Sequence, residues 1–86
     1  MDMHSMIIDD ERNVACGGDP VTFLKGVMKG LYFQLEPGQD AKILLLKEKY
    51  PFDIEVFRGI ASSARVNLLE FKEESGEIEL LIRRTN

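Results

Sequence analysis

The stretch DPVTFLKGVMKGLYFQLEPGQDAKILLL, Asp19 to Leu46, decides the fold. Aspartate followed by proline is a strong helix start: the carboxylate caps free N–H groups, and proline at the first helical position loses no hydrogen bond. Leu24, Val27, Met28, Leu31 and Leu35 then recur at helical spacing and form one apolar stripe, with Lys25 and Lys29 beside it. Gly26 and Gly30 each weaken such a helix by about 1 kcal/mol relative to alanine. Their spacing places them on one side, where another element could approach closely. Glu36-Pro37-Gly38 ends the helix in a turn, and Ala41 to Leu46 is a continuous apolar run typical of a buried central strand.

Upstream of this unit, Met6-Ile7-Ile8-Asp9 reads as a short first strand and Asp10 to Gly18 as a loop. Asn13 tolerates positive φ and suits a tight turn there. Downstream, Lys47-Glu48-Lys49 leaves the core. Pro51 opens a second helix to about Ala64, with Val56, Phe57, Ile60, Ala61 and Ala64 inward. A third strand, Val66 to Glu73, turns Val66, Leu68 and Glu70 to one face and Asn67, Leu69 and Phe71 to the other. Ser75-Gly76 makes a hairpin turn. The fourth strand, Glu77 to Arg84, presents Ile78, Leu80 and Ile82 on one face. The order β-α-β-α-β-β predicts an α+β two-layer sandwich, two helices on one face of a four-stranded mixed sheet.

The chain of 86 residues is long enough for one domain, residues 6–86, after a floppy tail of residues 1–5. A net charge of −4 argues against a nucleic-acid-binding surface, which is usually basic. The single cysteine excludes an internal disulfide, and the N-terminus shows neither a basic nor an apolar signal region. A reducing cytoplasm is the expected compartment, and no apolar run is long enough to span a membrane.

Cys16 carries the chemistry. It stands in the loop before Asp19-Pro20, where a helix dipole and free backbone N–H groups favour thiolate, the reactive form. Gly17 and Gly18 bare backbone N–H groups and let a partner approach. They lack the spacing of a phosphate-binding loop. Asp10 is expected to orient the loop through N–H bonds. Asp9, Asp10 and Glu11 lack a neighbouring histidine or second cysteine and read as solvated acids, so no metal site is expected. His4 falls in the tail. Arg12, Lys25, Lys29 and Arg58 are candidates for a basic rim near the thiol, although such residues more often only solvate a face. Tyr32-Phe33 reads as core filling.

These landmarks resemble the TusA/SirA-like family of small sulfur-carrier proteins. Its pattern runs approximately Asp-x-x-Gly-x-x-Cys-Pro-x-Pro, then a helix, a Pro-Gly turn, a strand, a helix with an Asp-Ile step, and a closing hairpin. Asp10 and Cys16 fall at that spacing, with Asn13 at the glycine position. Pro37-Gly38, Asp53-Ile54 with Phe57, and Leu80-Leu81-Ile82-Arg83-Arg84 resemble the later landmarks. The first proline is missing, and Cys16-Gly17-Gly18-Asp19-Pro20 stands in place of Cys-Pro-x-Pro. A second alignment puts Gly17 at the cysteine position, but the distance from Asp10 favours Cys16.

The resemblance implies a sulfurtransferase role without a cofactor. Cys16 would take sulfane sulfur as a persulfide from a donor, a cysteine desulfurase or rhodanese-like protein, and pass it to an acceptor protein. The loop of Asp10, Asn13, Gly17, Gly18, Asp19 and Pro20 would support it. Two other readings stand beside this one: a protein-interaction or regulatory module with an incidental thiol, and an RNA-binding domain, which the acidic balance disfavours.

Overall fold

A computed structural model describes residues 6–14 and 18–86. Six elements follow in the expected order: β1 (Ile7–Asp10), α1 (Pro20–Gln34), β2 (Asp40–Leu46), α2 (Ile54–Ser63), β3 (Val66–Glu74) and β4 (Glu77–Arg84). The sheet order is β1-β2-β4-β3. β1 pairs parallel with β2, while β4 runs antiparallel to both β2 and β3. Strands β1, β2 and β3 therefore share one direction. Their carboxyl ends, with the N-termini of both helices, lie at one end of the molecule. The helix C-termini lie at the other.

The α1–β2 unit forms as its sequence dictates. The Val21 N–H donates to Asp19 Oδ1 at 3.1 Å and the Thr22 hydroxyl to Asp19 Oδ2 at 2.9 Å, so Asp19 caps the helix. Leu24, Met28, Leu31 and Leu35 are buried on the inner stripe. After the helix, the Gln39 N–H donates to the Glu36 carbonyl at 2.9 Å across Pro37-Gly38. Gly38 has φ +87°, so proline and glycine occupy the two central positions that a type II turn asks of them. In β2, Ala41, Ile43 and Leu45 are buried beneath the helices. Lys42, Leu44 and Leu46 alternate with them and are half-buried on the open face. The continuous apolar run thus belongs to a central strand covered on one face only.

Several boundaries and faces differ from expectation. Pro51 does not open α2. Asp53 caps it instead, accepting from the Val56 N–H at 3.3 Å, and residues 51–53 lie outside the helix. Val56 is exposed rather than inward. Phe57, Ile60, Ala61 and Ala64 are buried as expected. Gly26 and Gly30 admit no neighbouring element: both face solvent, and an added Cβ would meet nothing within 4 Å.

The largest departure is in β3. Its register on β4 shifts between Leu68 and Glu70, leaving Leu69 as the extra residue of a β-bulge. Beyond the bulge the faces exchange. Phe71 turns toward the helices and packs against the Phe57 ring, with centroids 5.5 Å apart, while Glu70 is exposed. Phe57 also meets Phe52 edge-on at 6.0 Å. The hairpin follows the sequence reading: Ser75 (φ 54°) and Gly76 (φ 79°) form a two-residue turn whose paired positive φ values match the strand twist.

Candidate functional site

β1 delivers the chain to the carboxyl-end edge of the sheet. The Glu11 N–H still donates to the Leu44 carbonyl at 2.9 Å, so pairing with β2 runs one residue past the strand. Asp10 then turns the chain. Its Oδ1 accepts from the Arg12 N–H at 3.1 Å and from Arg12 Nε at 2.9 Å, and its Oδ2 from Arg12 Nη2 at 2.8 Å. This is the loop-orienting role expected of Asp10. The adjoining guanidinium holds the Asp10 carboxyl down at about 2. Arg12 also reaches Glu77 of β4 at 3.3 Å, tying the loop to the hairpin.

Arg12 and Asn13 form a turn closed by the Val14 N–H on the Glu11 carbonyl at 3.3 Å. Asn13 makes this turn without positive φ: among the described residues only Arg65 and Ser75, apart from glycines, adopt it. In an i→i+3 turn of this kind, residue i+2 can keep negative φ, so the glycine-like conformation is not needed.

Lys49 completes the frame. Lys49 Nζ donates to the carbonyls of Arg12 at 3.2 Å and Val14 at 3.4 Å. Sequence pattern gave no direct sign of this, because Lys47-Glu48-Lys49 reads as a solvated exit from β2. The parallel pairing of β1 and β2 supplies the reason: residues that follow two adjacent parallel strands emerge side by side.

Ala15, Cys16 and Gly17 lie outside the described residues, as does His4. The chain resumes at Gly18, which is exposed, and enters α1 through the Asp19 cap and Pro20. Lys49 thus sits on the Val14 carbonyl, and Asp19 caps the N-terminus of α1.

Of the four cations expected near the thiol, the structure gives partners or places for three. Arg12 is committed to Asp10 and Glu77, and Arg58 pairs with Glu55 on α2 at 2.7 Å. Lys29 lies near the far end of α1, beside Tyr32 and Arg84. The flank of the loop is instead acidic. Glu11 is pushed up to about 7 by a hydrogen bond with Asp9, by partial burial, and by the charges of Asp9 and Asp10. Among the described residues no cluster of three metal-ligating side chains occurs. No charged side chain is buried among them either, so the chemistry available to them is surface chemistry.

No protein-family model matches the chain, and no curated protein matches it. Among the described residues no helix is long and apolar enough to cross a membrane.

Proposed function

We propose that the protein is a sulfur carrier of the reducing cytoplasm that accepts and relays sulfane sulfur as a persulfide on Cys16. The observation that carries this reading is the frame around residues 15–17. Lys49 holds positive charge on the carbonyl of Val14, two residues before Cys16, and the N-terminus of α1 begins just after Gly18. A cation and a helix N-terminus both favour thiolate over thiol, and both favour a persulfide anion. The order β-α-β-α-β-β and the Pro37-Gly38 turn also agree with the resemblance to the carrier family.

In the transfer step the Cys16 thiolate attacks the outer sulfur of a donor persulfide. A sulfur–sulfur bond forms to Cys16, the donor's sulfur–sulfur bond breaks, and the donor cysteine leaves as thiolate. Sulfane sulfur moves without an external oxidant or reductant. A cysteine desulfurase or a rhodanese-like protein fits the donor role, and delivery to an acceptor protein repeats the exchange. The acidic flank, where Asp9 and Glu11 pair with no cation among the described residues, suits a donor with a basic face.

The test is intact mass after incubating the reduced protein with a cysteine desulfurase and cysteine. Gain of one sulfur atom, reversed by reductant and absent in Cys16→Ser, is the expected result. Lys49→Met should slow alkylation of Cys16 at neutral pH by about threefold, because a cation favouring thiolate is removed. No sulfur gain by a thiol that still alkylates would overturn the carrier reading in favour of an interaction module.

A further inference from the structure

The opposite end of α1 carries a feature that the thiol loop does not explain. A groove of about 620 Å³ opens between the C-terminal turns of α1 and α2 and the last residues of β4. Lys29, Tyr32, Phe33, Arg65 and Arg84 line it. A second hollow, sharing Tyr32 and Arg65, extends it toward Asn67. The larger volume falls in the range of small-molecule sites. Three cations face the groove, and neither hollow is lined by a carboxylate side chain, in a chain whose net charge is −4.

The cations are not all consumed by the fold. Arg84 is: Nη1 donates to the carbonyls of Tyr32 at 3.0 Å and Leu35 at 2.7 Å, Nε donates to that of Asn86 at 2.9 Å, and the guanidinium lies 4.2 Å from the Tyr32 ring centroid. Lys29 and Arg65 are exposed and have no carboxylate partner among the described residues. Two helix C-termini contribute roughly half a negative charge each, and the Asn86 main-chain oxygen, which accepts from the Tyr32 hydroxyl at 3.2 Å and from Arg84, adds to them, against three positive side chains. The groove therefore stays cationic.

Two further observations sharpen the ligand. Phe33 is 79% exposed at the rim, the most exposed large apolar side chain described, held edge-on to Tyr32 at 5.3 Å. Arg65 has φ 66°, the left-handed position just beyond α2 where glycine is the usual residue. An arginine there is strained, and strain of this kind concentrates at functional positions.

We propose that this groove binds a nucleoside phosphate, with the phosphate held by Lys29 and Arg65 and the base stacked on Phe33. Two unspent cations match one phosphate group. An aromatic face beside them suits a flat ring, because stacking needs only a π-face. A long polyanion would be repelled by the rest of an acidic surface. The site is independent of Cys16 and of its sulfur chemistry.

The test is a titration of the full chain with AMP, followed by amide chemical shifts, beside ribose 5-phosphate and a hexaglutamate peptide. AMP should shift the amides of Phe33, Arg65 and Asn67, and more salt should weaken it. Phe33→Ala should weaken AMP by about five- to tenfold and leave ribose 5-phosphate unchanged. Arg65→Gly suits the backbone at that position, so it should melt at or above the parent temperature and yet bind AMP at least about tenfold more weakly. Unchanged groove amides with AMP, equal affinity for AMP and ribose 5-phosphate, undiminished binding by Arg65→Gly, or tighter binding of the peptide would each overturn the proposal. The last outcome would identify the groove as a dock for an acidic protein segment.

Discussion

Each end of α1 has its own arginine clamp, and the two clamps work differently. At the N-terminal end Arg12 bonds carboxylates, Asp10 and Glu77, on side chains that remain a third or more exposed. At the C-terminal end Arg84 bonds backbone carbonyls of α1 and lies on the Tyr32 ring, in part-buried contacts. The first clamp neutralises charge in water. The second satisfies helix-end acceptors that would otherwise lack partners. Net charge therefore does not reveal the character of either end. What matters is which charges the fold leaves without an opposite partner among the described residues: Lys29 and Arg65 at one end, and Asp9 and Glu11 beside the loop at the other.

The contrast makes its largest prediction about stability. Arg84→Gln should destabilise the fold by about 2–3 kcal/mol, since charge-assisted bonds to the Tyr32 and Leu35 carbonyls are lost at a partly covered helix end. Urea unfolding in low and high salt measures it, and the loss should persist at high salt. Arg12→Gln should cost less, and its effect should fade as salt screens the exposed pairs. Equal losses with equal salt dependence would abolish the distinction between the clamps.

The middle of α1 gives a smaller effect. Gly26→Ala and Gly30→Ala should each raise stability by about 0.5–1 kcal/mol, because both glycines are helical, solvent-facing and open to a Cβ. Thermal melts of the two single variants check this. A loss at Gly30 alone would mean that the groove beside Lys29 tolerates no added methyl, and would tie helix stability to the cationic end.

Legibility from sequence followed the locality of the signal. Asp19-Pro20, Pro37-Gly38 and Ser75-Gly76 each act within a few residues, and each appears in the structure where its chemistry places it. The apolar stripe of α1 and the alternation of β4 likewise needed only periodicity. The bulge at Leu69 was hidden because it depends on how β3 pairs with β4, and no glycine marks it. Pro51 misled because proline begins helices and also simply ends strands, whereas Asp53 two residues later supplies the cap. At the loop, Asp10 was legible as a local turn former. Lys49 was not, since its partners Arg12 and Val14 are brought to it only by the parallel pairing of β1 and β2. Tyr32-Phe33 read as core, but only Tyr32 is partly covered, and Phe33 faces outward beside the groove.

The smallest effect separates the two ends by pH. Glu11 is held at about 7, above its ordinary value of 4.5, by Asp9, partial burial and the Asp10 charge. The folded state thus binds its proton more tightly than the unfolded state. Its stabilisation is complete below pH 4.5 and is lost as pH rises through 7. Asp10 has the opposite sign. Held at about 2 against an ordinary 3.8, it stabilises the fold above pH 3.8, and this contribution is lost as pH falls through 2. Melting temperature should therefore peak in mildly acidic solution, falling on the alkaline side through Glu11 and on the acid side through Asp10. Glu11→Gln should flatten the alkaline limb, and Asp10→Asn the acid limb. Both changes should be modest, because solvent reaches both carboxyls. Arg65→Gly should leave the shape of the curve unaltered, since arginine keeps its charge throughout this range. If Arg65→Gly reshaped the profile as Glu11→Gln does, the two ends would be electrostatically coupled along α1, whose length of roughly 22 Å exceeds two Debye lengths at physiological salt.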